Sequence, residues 1–188
     1  MSIFTNRKGK LRLYDGTGTP YYLEIDFDKG DFSGPIGIPK TEEILMLNRG
    51  VYDAHAHYIE GDDSKVMEPF DISFSCFIED TTITTYLLDW LSGNTVNGNT
   101  IATTKAGTQR ARSVASPAFA DSTKKCSNVE YLLNGAADIC WHYNEVYFEL
   151  SEQSISEGES EVAISLKGKC YGTIVRDTAF TAGTDVTA

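Results

Sequence analysis

The sequence predicts a mainly β fold: an antiparallel β-sandwich or barrel with one flanking α-helix, a long loop and extended terminal arms. Three observations predict it. Apolar and polar residues alternate cleanly over Tyr21–Asp28 and Phe70–Glu79, and a period of two sorts each set onto opposite sides of a sheet. Glycine-bearing turns separate the apolar runs at hairpin distances. Only the stretch from Asp80 to Gly93 carries a convincing set of apolar residues at helical spacing.

Taken in order, Leu11 and Leu13 begin a short strand that turns through Asp15–Pro20 into Tyr21. The glycines of that turn supply the positive φ a hairpin loop needs. Tyr21, Leu23, Ile25 and Phe27 then share one face, with Tyr22, Glu24, Asp26 and Asp28 on the other. A brief helix is compatible with Thr41–Leu47. A second hairpin runs from Val51–Glu60 through the turn Gly61–Ser64 into Val66–Glu79. Within it Phe70, Ile72, Phe74, Cys76 and Ile78 face one way, and Asp71, Ser73, Ser75 and Glu79 the other.

The main helix has N-cap candidates in Asp80, Thr81 and Thr82. Its stripe is Ile83, Tyr86, Leu87, Trp90 and Leu91, and Gly93 is its stop. One amphipathic helix must lay that stripe on a sheet to be stable, so the stripe reads as core. Residues 94–125 read as a long polar loop, with a strand around Val96–Thr104 and with Arg110, Arg112, Lys124 and Lys125 as cations. Loops of such length in compact domains are functional or become ordered by a partner. Val129, Tyr131 and Leu133 lead to the Asn134-Gly135 turn, a strong hairpin signal. The following strand shows Ile139, Trp141 and Tyr143 on one face, then Val146, Phe148 and Leu150. Its phase slips near Asn144–Glu145, as a β-bulge or burial of both faces would produce. Glu157-Gly158-Glu159 breaks the chain before Val162, Ile164 and Leu166. Residues 1–8 and 173–188 read as arms. No repeat or shift of composition divides the chain, so 1–188 reads as one domain.

The chemistry is mostly one of exclusion. A net charge of −11 opposes gripping of phosphate backbones or anionic lipid. No apolar run approaches the roughly 18 residues that span a bilayer, and the start MSIFTNRKGK lacks the apolar region of a secretory leader. We therefore expect a soluble protein made inside the cell. The four cysteines form no CxxC and are expected as reduced thiols, with Cys76 and Cys140 acting as small hydrophobes. His55 and His57 share a strand face with Asp53 and could hold zinc or nickel. No motif supplies the remaining ligand, so a polar strand face is the better reading. Asp26–Asp31 departs from a calcium loop, with Gly30 fifth rather than sixth and Gly37 where the bidentate Glu belongs. Gly16-Thr17-Gly18 opens no helix, and His142, beside Trp141, has no nucleophile next to it. The expectation is a non-enzymatic protein with no cofactor and no metal.

The order of hairpins, the strand and helix of EPFDISFSCFIEDTTITTYLLDWLSG, the long loop and the closing strands resemble the layout of a bacteriophage tail tube protein, the major tail protein of long-tailed phages. The last third, ELSEQSISEGESEVAISLKGKCYG followed by AFTAGTDVTA, is similar to how such proteins end. The resemblance implies a virion protein, assembled in the host cytoplasm, whose hexameric rings stack into a hollow tube. Sheets of neighbouring copies would join into a continuous barrel. Its partners would be other copies, other tail proteins, and genomic DNA passing through without specific binding. A wall facing moving DNA should repel phosphate, and Glu24, Asp26, Asp71 and Glu79 are the candidate lumen-facing acids. Their strands bury the opposite phase, so these carboxylates point away from the core, to the channel or the exterior. Arg110, Arg112, Lys124 and Lys125 depart from the expectation and would face away from the lumen or pair with acids. A neck, distal-tail or secretion-tube component stays open as an alternative, and so does a carbohydrate-binding β-sandwich, which an exposed row of aromatics would favour.

Overall fold

The computed structural model describes residues 9–25, 31–37, 69–77, 81–92, 95–101, 104–105, 125–135, 137–157 and 162–188. Its elements are β1 (Gly9–Tyr14), β2 (Tyr21–Ile25), β3 (Phe70–Phe77), α1 (Thr81–Ser92), β4 (Thr95–Val96), β5 (Asn99–Thr100) and β6 (Thr104–Lys105). There follow β7 (Lys125–Leu133), β8 (Ile139–Tyr147), β9 (Ser154–Glu157), β10 (Val162–Cys170), β11 (Ile174–Asp177) and β12 (Thr184–Asp185). Among the described residues the fold is mainly β with one α-helix, as the sequence predicts. The expected helix at Thr41–Leu47, the hairpin arm Val51–Glu60, the N-terminal arm 1–8 and most of loop 94–125 lie outside the described residues.

Ten strands form one sheet in the order β12-β2-β1-β7-β8-β10-β3, with β11 on β8, β6 on β7 and β9 on β10. Every pairing is antiparallel except β12 on β2. The alternation read from sequence is the alternation of burial. Leu11, Leu13 and Leu23 are fully buried, and β3 buries Phe70, Ile72, Phe74 and Cys76 while Asp71 is exposed. Buried side chains of β1, β2, β7 and β8 join those of β3, β10 and α1 in one apolar cluster, a sandwich-like arrangement. Each large apolar side chain so buried contributes about 1.5–3 kcal/mol. Helix α1 contributes Leu87 and Trp90, whose indole N–H donates to Ser127 Oγ at 2.7 Å and fastens the helix to β7. Ile83, expected in the stripe, is instead 41% exposed in the first turn of the helix. All four cysteines are buried and no disulfide joins them.

The phase slip in β8 is a β-bulge. Val129 faces Tyr143 and Ser127 faces Val146, so Asn128 alone is opposed by both Asn144 and Glu145. Glu145 takes the left-handed conformation (φ 57°), and its N–H donates to Asn128 Oδ1 at 2.8 Å. The extra residue bends β8, which pairs with β11 before the bulge and with β10 after it. The turn between β10 and β11 docks onto the same spot: Gly172 N–H donates to the Asn144 carbonyl and Tyr171 N–H to that of Glu145. A Cβ at Gly172 would collide with the Asn144 carbonyl, so only glycine fits there.

Three readings are corrected. A single strand around Val96–Thr104 is instead the two-residue pairs of β4 and β5, closed by a turn with positive φ at both Asn97 and Gly98. Leu150 does not continue β8; it opens a short 3₁₀ turn and is 50% exposed. The stretch 173–188 is anchored to the sheet rather than projecting as an arm, with Ile174–Asp177 (β11) on β8, Thr184–Asp185 (β12) on β2 and Val186 fully buried.

The bulge yields a test. Glu145 holds a conformation that costs a non-glycine residue about 1–2 kcal/mol. Glu145→Gly should therefore leave stability within about 1 kcal/mol of wild type, whereas the β-branched Glu145→Val should lower it by more, as chemical denaturation would read.

Candidate functional site

Cross-strand register places the charged side chains that point away from the core. Glu24 pairs with Arg12, Arg12 with Glu130, and Glu130 with His142, across β2, β1, β7 and β8. Directly opposed residues share a face, so acid and base alternate along one row. Arg12 donates from Nε and Nη2 to Glu24 Oε2 at 3.0 and 2.8 Å, and Lys10 Nζ donates to Glu24 Oε1 at 3.2 Å. His142 Nδ1 lies 3.0 Å from Glu130 Oε1, with Glu130 fully buried.

The C-terminal segment lies over this row. Thr181 donates from its N–H (3.1 Å) and its hydroxyl (2.5 Å) to Glu130 Oε1. His142 Nε2 donates to the Ala179 carbonyl at 3.1 Å. Between these anchors the Phe180 ring covers one side of the Arg12 guanidinium at 4.2 Å, and Tyr22 lies against it at 4.1 Å. Beyond them β12 runs parallel to β2, with Thr184 N–H on the Pro20 carbonyl and Val186 N–H on that of Tyr22. Asn97 Nδ2, from the turn between β4 and β5, donates to the Val186 carbonyl at 2.8 Å. Gly183 passes so close that a Cβ would stand 2.5 Å from the Pro20 oxygen.

The electrostatics follow from these contacts. Burial opposes a charge on His142, but hydrogen bonding to Cys140 and Glu130 and the Glu130 charge outweigh it, carrying the imidazole up to about 10. Burial likewise raises Glu24, yet hydrogen bonds and charge from Arg12 and Lys10 prevail and hold it below the ordinary carboxylate range. Burial, then the Glu130 charge, pushes the Tyr14 phenol up to about 12.

Of the candidate lumen-facing acids, Glu24 and Asp71 do point away from the core, and each stands beside a cation. Glu24 lies between Lys10 and Arg12, and exposed Asp71 is opposite Lys169 across β3 and β10. Asp26 and Glu79 lie outside the described residues, as do His55, His57, Arg110, Arg112 and Lys124; Lys125 opens β7. Among the described residues no group of three or more His, Cys, Asp or Glu could hold a metal ion, and no helix is long and apolar enough to cross a membrane. The aromatic row Phe32, Tyr131 and Trp141, with Phe32 stacked on Tyr131 at 4.3 Å, packs against the core and is only partly exposed.

Sequence reasoning missed the Glu130–His142 pair. A two-residue turn at Asn134-Gly135 would set Glu130 opposite Ile139; the actual loop spans 134–138 and sets it opposite His142. The available signal was parity. Glu130 and His142 each sit between residues of the apolar phase, Val129 with Tyr131 and Trp141 with Tyr143.

Compared with known proteins, the chain matches no family model and no curated protein. It is similar to a chain of the solved structure described as "Cryo-EM structure of the anti-feeding prophage (AFP) baseplate, 6-fold symmetrised", at 8% identity and a TM-score of 0.44. That likeness covers 94% of this chain and 95% of the other. At that score it carries no argument about what this chain does.

A folded-state value of about 10 for His142, against an ordinary 6.5, means its stabilisation is complete below about pH 6.5 and is lost as pH rises toward 10. Denaturation midpoints should fall across that window, and the fall should be smaller in His142→Gln. Glu24→Lys would set a third cation beside Lys10 and Arg12, and should cost about 1 kcal/mol by urea titration.

Proposed function

We propose that the chain is a non-enzymatic, self-assembling structural protein, the subunit of a phage-type tail tube. Copies would form hexameric rings, and the rings would stack around a channel that conducts DNA during ejection. The partners are other copies, neighbouring tail proteins and DNA in transit; the protein works in the virion tail after assembly in the host cytoplasm.

One observation carries this reading. Strand β9 pairs with β10 on one side, and among the described residues nothing pairs with its other side. All four of its residues are exposed, Ile155 at 66%. An open edge bearing an exposed apolar side chain is a template for pairing with another chain, and a head-to-tail contact of this kind repeats into a ring when its rotation closes. The overall charge of −11 supports a conduit, since it disfavours retention of passing phosphate. Glu24 and Asp71 stand beside cations, which weakens the repulsion that these two acids could supply at the wall.

The purified chain should form uniform stacked tubes by electron microscopy. Ile155→Lys should abolish them while leaving stability within about 0.5 kcal/mol, as expected of an exposed site. A chain that stays strictly monomeric by light scattering at high concentration would sink the proposal. Single rings that never stack would point to a neck or distal-tail component instead.

A further inference from the structure

We infer that residues 178–188 form a releasable strap that decides whether the β2 edge is available to a second copy of the chain. This rests on the self-assembly reading and adds its regulation.

The strap has a built seat. Glu130, fully buried, aims its carboxylate at Thr181; His142 holds the Ala179 carbonyl; Val186 is fully buried. Its grip on the β2 edge itself is slight, two paired residues in parallel with main-chain bonds of 2.9 and 3.0 Å. Parallel pairing is the weaker kind per residue, and two residues make a short ladder. The side-chain fastening therefore sits off the edge it protects, at Glu130 and His142 on the sheet face and at Asn97, which holds the Val186 carbonyl. Loosening the fastening frees the Pro20 and Tyr22 carbonyls and withdraws from the apolar cluster only Val186, the strap's one member of it.

Release of the strap frees the outer side of β2 at Tyr21 and Tyr22, while the inner side stays paired with β1, and an outer side open along the whole strand is a template for another edge. The occupant is a second copy, because that copy brings the four residues of β9 with an outer side open among the described residues. A ladder of that length exceeds the pairing that β12 makes. Held closed, the strap raises the concentration at which the two edges meet.

The test compares wild type with Thr181→Val and Glu130→Gln. Thr181→Val removes one donor to Glu130 and leaves the core intact, so it remains informative should Glu130→Gln fail to fold. Amide exchange over 181–186 should quicken about tenfold, and assembly by light scattering should begin at a clearly lower concentration. Adding Ile155→Lys to Thr181→Val should cancel that gain. Unchanged exchange, or faster exchange with assembly unaltered or weakened, would overturn the strap's role. If wild type still forms tubes in that case, the assembly reading stands and only the regulation falls. If no variant associates at any concentration, both fall together.

Discussion

The structure depends on a row of alternating charge, Glu24–Arg12–Glu130–His142, laid across four adjacent strands. A buried carboxylate is costly unless paired and hydrogen-bonded. Glu130 meets that condition through His142 on the next strand and Thr181 from the C-terminal segment. Each partner is in place only if the register is correct. Slipping β7 against β8 by one residue would turn Glu130 into the apolar cluster and Val129 out of it. The row thus penalises wrong pairings more strongly than it rewards the right one, while the apolar cluster supplies most of the favourable energy.

Register in turn is set at both ends of the β7–β8 hairpin. The 134–138 loop fixes one end, where Gly135 N–H donates to Asp138 Oδ1 at 2.8 Å. The bulge at Asn144 and Glu145 fixes the other and also redirects β8 from β11 to β10. The same bulge receives the turn at Tyr171 and Gly172, so the start of the C-terminal segment and the bend of the sheet are determined together. A local irregularity of one residue positions the strand that carries the segment toward Glu130. The far edge is handled by side-chain mimicry. Asp31 Oδ2 accepts the Ser75 N–H, and Ser33 exchanges two main-chain bonds with Ser73, so β3 is partly covered.

How much of this was legible follows from which forces are local. The burial phases of Leu23 and Ile25, of Phe70 to Cys76, and of Leu87 with Trp90 are written in the sequence, because each element must hide one face. The bulge was visible as a lost phase between Tyr143 and Val146. Turn geometry was less legible. Asn-Gly occurs twice, and the pair at 97–98 makes the tight turn, with φ of 47° and 76°, while the pair at 134–135 opens a longer loop. Tertiary packing decides between them. The C-terminal segment was least legible, since Thr181 and Gly183 look like linker residues until Glu130 and Pro20 are set beside them. Its polar composition reflects a seat that is itself polar.

The charge row also changes how the acidity of the chain is to be understood. A formal −11 suggests faces of uncompensated carboxylate. Yet Glu24 sits between Lys10 and Arg12, Asp71 is opposite Lys169, and Glu130 is covered and paired. Cross-strand opposition tends to place unlike charges together, because like charges directly opposite are destabilising. These three acids inside regular pairings are thereby compensated, whereas Glu157, Asp177 and Asp185, each the last residue of its strand, stand opposite uncharged partners. Compensation thus follows regular pairing, and negative charge goes unmatched where a strand ends.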